Sequence, residues 1–94
     1  MRKVTHTDVE DLYRAVLSLE SLAEEKRFFR DLLTETEIDE LAERWKAARL
    51  LAKGVPYTKI IEETGLSSTT VARVAKWLKK GTGGYRLVLH RIGH

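Results

Sequence analysis

The stretch 57–80, YTKIIEETGLSSTTVARVAKWLKK, decides the fold, because its pattern predicts a helix-turn-helix. Gly65 marks the corner, since glycine takes a positive φ at a tight turn between two helices without a Cβ clash. Either Ser67 or Ser68 is predicted to cap the second helix through its hydroxyl. The apolar side chains spaced to meet inside the angle of the two helices are Ile60, Leu66, Val71 and Val74.

The second helix of this motif opens with hydroxyl side chains and closes with cations. Small polar groups at a helix N-terminus suit base edges in a major groove, while lysine and arginine suit the phosphates beside it. The sequence therefore predicts a DNA-binding surface. The candidate groove and near-phosphate contacts are Ser67, Ser68, Thr69 and Thr70, the candidate backbone contacts are Lys59, Arg73, Lys76 and Lys79, and Tyr57 and Thr58 add donors at the start of the first helix.

Two positions depart from the usual helix-turn-helix pattern. Ile61 stands where alanine is usual, and Thr64 stands where an apolar residue is usual. The alternative is an ordinary helix hairpin in a small all-α domain, with a serine cap and a solvated lysine face. The clustering of hydroxyls and cations on one short element favours the helix-turn-helix.

Charge is divided unevenly along the 94 residues, which we expect to form a single domain. Residues 1–54 carry ten Lys or Arg against twelve Asp or Glu, whereas residues 55–94 carry seven against two. A polyanion is therefore the expected partner of the C-terminal part. There is no cysteine, and the three histidines, at positions 6, 90 and 94, are scattered, so no metal site is predicted.

Several classes of protein do not fit the sequence. No apolar run approaches the ~20 residues of a membrane span, and the N-terminal stretch lacks the apolar core of a signal peptide, so a cytoplasmic protein is expected. Nothing resembles a Ser-His-Asp arrangement, a P-loop or paired buried carboxylates, so neither an enzyme nor a cofactor is expected.

The remaining segments are predicted to be helical. Residues 1–33 carry two apolar stripes at helical spacing and are predicted to form dimerisation helices. Thr7 or Asp8 is the predicted cap of the first helix, and Ser18 or Ser21 is predicted to mark the break between the two helices. The capping box TETE at 34–37 opens a long central helix, 34–54, that holds Trp45 as a core anchor. Gly54 ends that helix, and Pro56 fits the following loop or first turn. Residues 81–94 are predicted to form a glycine joint and a short helix, which helical spacing favours over a strand.

The order LLTETEIDELAERWKAARLLAKG, VPYTKIIEETGLSSTTVARV and WLKKGTGGYRLVLHRI resembles the Trp repressor superfamily, and the last segment resembles its YerC/YecD-type bacterial branch. The resemblance covers nearly the whole chain and is strongest from Leu32 to about Lys80. It implies an all-α fold and an intertwined homodimer. It also implies two helix-turn-helix heads on a palindromic double-stranded DNA operator, with half-sites about one helical turn apart.

The resemblance also implies an effector pocket for L-tryptophan, between Arg44 and Arg73 and beside Thr70. Two positions depart from that pattern: Val74 replaces a glycine that leaves room for the indole, and Trp77 replaces a serine that helps to hold the amino acid. Their bulk is expected to fill the pocket. The favoured interpretation is therefore that the two arginines make ion pairs or phosphate contacts and that Trp77 belongs to the core.

Two functions follow as hypotheses. The first is a homodimeric, sequence-specific DNA-binding transcriptional regulator, most simply a repressor. The second is a protein-interaction dimer that keeps the fold without reading DNA. The departures at Ile61 and Thr64 and the apolar N-terminal helices support the second hypothesis.

Overall fold

The computed structural model describes residues 3–93, and within that part of the chain the secondary structure is entirely helical. This confirms the all-α fold class. Met1, Arg2 and His94, one of the three histidines considered for a metal site, lie outside the described residues. The six helices are α1 (His6–Leu17), α2 (Leu22–Leu32), α3 (Glu35–Ala52), α4 (Tyr57–Thr64), α5 (Ser68–Lys80) and α6 (Gly84–Gly93).

The chain divides into two compact units, one ending at Ile38 and the other beginning at Asp39. In the first unit α1 is capped by Thr5, so the prediction of Thr7 or Asp8 was wrong. Thr5 accepts from the Asp8 N–H while the Asp8 carboxylate accepts from the Thr5 N–H, both at 3.1 Å. Asp8 thus has the third position of a capping box, which satisfies two donors at once.

Both serines proposed as a break between the first two helices have that role. Ser18 ends α1, and Ser21 caps α2 by accepting from the Glu24 N–H at 3.1 Å. Among the described residues of these two helices none is buried within the chain. Their apolar stripes are thus available for a partner surface, and dimerisation stays a prediction.

The predicted capping box of α3 is confirmed. The Glu37 N–H donates to the Thr34 hydroxyl oxygen at 3.1 Å, and the Thr34 N–H donates to the Glu37 carboxylate at 2.9 Å. Gly54 ends the helix with φ +82°, as predicted. Its N–H donates to the Leu51 carbonyl at 3.0 Å, and the next N–H, of Val55, reaches back to Leu50 at 3.1 Å. This pair of bonds is a Schellman motif, which satisfies carbonyls that the helix end leaves unpaired.

The core of the second unit is small and lies where α3, α4 and α5 meet. Its alanines, with no side chain beyond Cβ, let the helices approach closely. Trp45 is half-buried at the margin of this core and stacks on Tyr85 of α6, with ring centroids 6.3 Å apart and planes 25° apart. The buried apolar residues are Ala47, Ala48, Ile60, Val71, Val74 and Ala75.

Trp77 corrects the sequence interpretation. It was expected in the core, yet 55% of it is exposed. Helical spacing explains this: Val71, Val74 and Ala75 form the buried side of α5, and at 3.6 residues per turn Trp77 lies roughly 110° round the helix from the middle of that side.

Candidate nucleic-acid interface

The corner between α4 and α5 is built around Gly65. Its φ is +74°, in the left-handed region, and its N–H donates to the Ile61 carbonyl at 2.9 Å. A Cβ at this position would meet nothing within 4 Å, so backbone conformation, not space, is what favours glycine. Ile60, Val71 and Val74 are buried inside the angle and Leu66 packs against them, as the spacing predicted.

The structure explains the unusual threonine before that glycine. Thr64 is buried, its hydroxyl donates to the Ile60 carbonyl at 2.7 Å, and the same oxygen accepts from the Leu66 N–H at 3.2 Å. A buried hydroxyl with both functions satisfied carries little of the usual penalty for burying a polar group. Ile61, the other departure, is half-buried and packs against the core.

The hydroxyls predicted at the start of α5 separate into two pairs. Ser67 is the N-cap: its oxygen accepts from the Thr70 N–H at 3.1 Å, and its hydroxyl lies 3.0 Å from the Thr70 hydroxyl oxygen. Ser67 and Thr70 are therefore engaged in holding the helix start. Ser68 and Thr69 are exposed on the first turn of α5, so their hydroxyls face outward.

The predicted cations share the surface of this motif. Thr69, Arg73 and Lys76 follow one another at four and three residues along α5, which puts them on one side of the helix. All the backbone-contact candidates are exposed: Tyr57, Thr58, Lys59, Arg73, Lys76 and Lys79. The opposite side of α5 is the buried one, so the motif presents hydroxyls and positive charge outward.

Two cations outside the predicted set hold the ends of these helices. Lys46 Nζ on α3 donates to the Glu63 carbonyl near the end of α4, at 3.2 Å. Arg86 on α6 donates through Nε to the Leu78 carbonyl at 2.9 Å and through Nη2 to the Lys79 carbonyl at 2.6 Å. Sequence reasoning counted both only as charges, because such tertiary bonds leave no local pattern.

The residues of the predicted effector pocket also come together. Arg44, Thr70, Arg73, Val74 and Trp77 line one cavity of about 320 Å³, and Glu40, Leu66 and Tyr85 complete its wall. Space thus remains beside Val74 and Trp77. Glu40, which the sequence interpretation missed, lies one turn before Arg44 on α3 and brings a carboxylate to the same cavity.

Comparison with known proteins agrees with this architecture. The model of the family described as Trp repressor protein matches residues 7–93. The chain belongs to the Trp repressor family. Its structure superposes on a TrpR-like protein from Eubacterium eligens ATCC 27750 with a TM-score of 0.87 and 40% identity, over 93% of this chain and 90% of the other.

Two further relatives match over similar lengths. An uncharacterised Bacillus subtilis (strain 168) protein, YerC, is 41% identical over 90 residues, which are 96% of this chain and 86% of the relative. A Staphylococcus aureus structure, provisionally described as a Trp repressor, gives a TM-score of 0.86 at 34% identity, over 94% of this chain and 88% of the other.

Membership of the Trp repressor family suggests a DNA-binding regulator, and the fold is that of regulators and not of an enzyme family. Within residues 3–93 no helix is long and apolar enough to cross a membrane. The same residues contain no cluster of three His, Cys, Asp or Glu side chains with the placement of a metal site.

Proposed function

We propose that the chain is a sequence-specific, double-stranded DNA-binding transcriptional regulator, a repressor, that acts as a homodimer through α4 and α5. The observation that carries the proposal is the two-sided character of α5. Val71, Val74 and Ala75 are buried, while Ser68 and Thr69 are exposed at its start and the cations are exposed along its length. That distribution matches hydroxyls on base edges and lysines on phosphates.

The homodimer is part of the same proposal. A twofold axis would present two α5 helices to successive major grooves, so the operator would be palindromic, with half-sites one helical turn apart. The apolar side chains that α1 and α2 leave exposed supply the surface for such a dimer. They include Leu12, Tyr13, Leu17, Leu22 and Leu32.

The proposed regulator binds DNA without a co-repressor. Arg44 and Arg73 line a cavity that already contains a carboxylate, Glu40, and two bulky side chains, Val74 and Trp77. A carboxylate beside two guanidinium groups offsets the positive potential that would attract the carboxylate of a free amino acid. L-tryptophan is thus not required in this proposal, and its addition is an arm of the test.

The test is fluorescence anisotropy of a labelled random duplex pool titrated with the protein at several salt concentrations, with and without L-tryptophan. Each phosphate contact releases counterions, so log affinity should fall against log salt with a slope of roughly −0.9 per contact. A steep slope that tryptophan leaves unchanged supports the proposal. Absence of binding at low salt would overturn the regulator, and binding only with tryptophan would overturn its independence of a co-repressor.

Two substitutions separate positioning by phosphates from reading of bases. We expect Lys76→Ala to weaken binding to all duplexes alike and to reduce the salt slope by about 0.9, whereas Thr69→Ala should change the preferred base at one operator position. Lys26→Ala, which removes an exposed lysine of α2, is the matched control and should change neither. An equal and uniform loss from Lys76→Ala and Thr69→Ala would show that Thr69 reads no base.

A second candidate function is a protein-interaction dimer that reads no DNA. The exposed apolar side chains on α1 and α2 favour it, since Leu17 is 84% and Leu22 67% exposed. Retention on a random-sequence DNA column and elution by salt distinguish the two functions. If the protein passed through that column, pull-down of a protein partner would be the next experiment.

A further inference from the structure

Arg86 lies on α6, yet its hydrogen bonds end on α5. The carbonyls of Leu78 and Lys79, which accept from it at 2.9 and 2.6 Å, belong to the last turn of α5. Carbonyls there have no partner within their own helix. The preceding carbonyl, of Trp77, accepts from the Gly81 N–H at 2.9 Å. Three successive carbonyls at the end of the candidate recognition helix are thus satisfied, two of them by one guanidinium.

The residue beside Arg86 holds a different helix. Tyr85 stacks on Trp45 of α3, while Arg86 reaches α5. Two adjacent residues of α6 therefore connect the long helix to the end of the candidate recognition helix. Because a planar guanidinium with two parallel donors fixes direction as well as distance, this contact orients the last turn of α5.

Close packing at the joint supports that orientation. A Cβ at Gly81 would collide with the Trp77 carbonyl and would lie 2.9 Å from ring atom Cε3 of Trp77. The backbone at Gly81 therefore packs directly against the last turn of α5. α6 begins only three residues later, at Gly84, so the short connection limits how far Arg86 can move from the carbonyls it binds.

We infer that Arg86 is a positioning residue for DNA recognition: it fixes the end of α5, which carries Lys76 and Lys79, and does not itself bind phosphate. This inference rests on the proposed function. Arg86 is exposed and belongs to the cations that give residues 55–94 their positive charge, but its Nε and Nη2 donate to backbone carbonyls of α5. A cation at a helix C-terminus also offsets the negative end of the helix dipole, which would otherwise face phosphates approaching Lys79.

Lys46 repeats the arrangement at the other helix of the motif. Its ammonium donates to the Glu63 carbonyl at the end of α4, so a cation from a neighbouring element holds the end of each helix. Lysine is a flexible point charge, whereas arginine presents a fork. The orienting role therefore falls on Arg86, and it predicts that lysine cannot replace arginine at position 86.

The experiment compares Arg86→Gln and Arg86→Lys with Arg91→Gln. Arg91 is an exposed arginine on the same helix, so Arg91→Gln makes the same change in net charge and controls for general electrostatics. DNA affinity and its salt slope are measured by anisotropy at a temperature where thermal unfolding shows every variant folded. We expect Arg86→Gln to lose about tenfold in affinity relative to Arg91→Gln, with an equal salt slope. Arg86→Lys should lose most of the same factor although its charge is kept.

Other outcomes would overturn the inference. A salt slope smaller by about 0.9 in Arg86→Gln than in Arg91→Gln would make Arg86 a phosphate contact. Equal affinity of these two variants, with a lowered Tm for Arg86→Gln, would mean that Arg86 contributes to stability only. Full affinity of Arg86→Lys would show that the two-donor geometry of the guanidinium is not needed for DNA binding. If Arg86→Gln did not fold, the DNA affinity of Arg86→Lys would test the inference by itself. Failure of the wild-type chain to bind any duplex would instead overturn the proposed function itself.

Discussion

At the scale of single residues, Thr64 shows how a polar side chain can replace an apolar one at a helix-turn-helix corner. The corner leaves the Leu66 N–H without a helical carbonyl, and the Thr64 hydroxyl accepts from it. The same hydroxyl donates a hydrogen bond to the Ile60 carbonyl. The threonine is therefore part of the turn and not a defect in the core.

Thr64→Val tests how much that hydroxyl contributes to the stability of the fold. Valine keeps the shape but leaves the Leu66 N–H unpaired, so the free energy of unfolding should fall by about 1–3 kcal/mol. Urea unfolding measures the loss, and hydrogen exchange of the Leu66 amide identifies its cause. Thr64→Ser, which keeps the oxygen, should retain the protection of that amide. Unchanged protection in Thr64→Val would contradict this account.

Sequence reasoning at this scale succeeded where the cause is local. Gly54 and Gly65 were predicted, and Ser67 was one of the two predicted caps, because a positive φ or a first-turn amide needs a particular residue type at that position. It failed for Arg86 and for the exposure of Trp77. Neither depends on nearby residues: one needs α6 to fold back onto α5, and the other needs the direction of the core.

At the scale of elements, the capping boxes show which helix starts a sequence can specify. TETE was recognised because threonine and glutamate stand three apart directly before an apolar stripe. The start of α1 was misplaced because Thr5, Thr7 and Asp8 all suit a cap. The structure uses Thr5 with Asp8 as the reciprocal partner, so Asp8 was the right residue in the wrong role.

The α1 cap predicts a dependence on pH. The Thr5 N–H, and then the Thr5 hydroxyl, stabilise the charged form of Asp8 and hold the pKa of that carboxyl below its usual value of 3.8. A lowered pKa in the folded state means that the stabilisation is present above the usual value and is lost as pH falls through the folded-state pKa.

An NMR titration of the Asp8 side-chain carboxyl carbon measures this effect, and its midpoint should lie below 3.8. Thr5→Val removes the hydroxyl but keeps the backbone N–H, so it should raise the midpoint only part of the way to the usual value. A midpoint at or above the usual value in the wild-type chain would contradict the capping role of the carboxylate.

At the scale of the whole molecule, the contrast between core and surface is what motivates the proposed homodimer. The buried apolar residues of the described chain are alanine, valine and isoleucine, whereas many of the larger apolar residues are exposed. Where exposed apolar side chains form one contiguous patch, they often mark a protein–protein interaction site. The fold class followed from the sequence, but whether α1 and α2 pack against a second chain is a prediction that a single chain does not test.

Thermal unfolding at different protein concentrations tests that association. If the folded state is a dimer and the unfolded state is monomeric, mass action makes Tm rise with concentration. We expect a clear rise over an about hundredfold range, with sedimentation equilibrium giving twice the mass of one chain. Leu17→Glu, on the exposed stripe of α1, should weaken the dependence. A constant Tm together with the mass of a single chain would rule out the homodimer.

The exposure of Trp77 gives the molecule an optical reporter on α5. Trp45 is half-buried against Tyr85, whereas Trp77 is 55% exposed on α5, close to Lys76. The two indoles line a common pocket but differ in exposure, and replacing Trp45 by phenylalanine would leave a signal from α5 alone. If a duplex binds α5 as proposed, it should change the water around that indole, so the emission of unlabelled protein would report on formation of the interface.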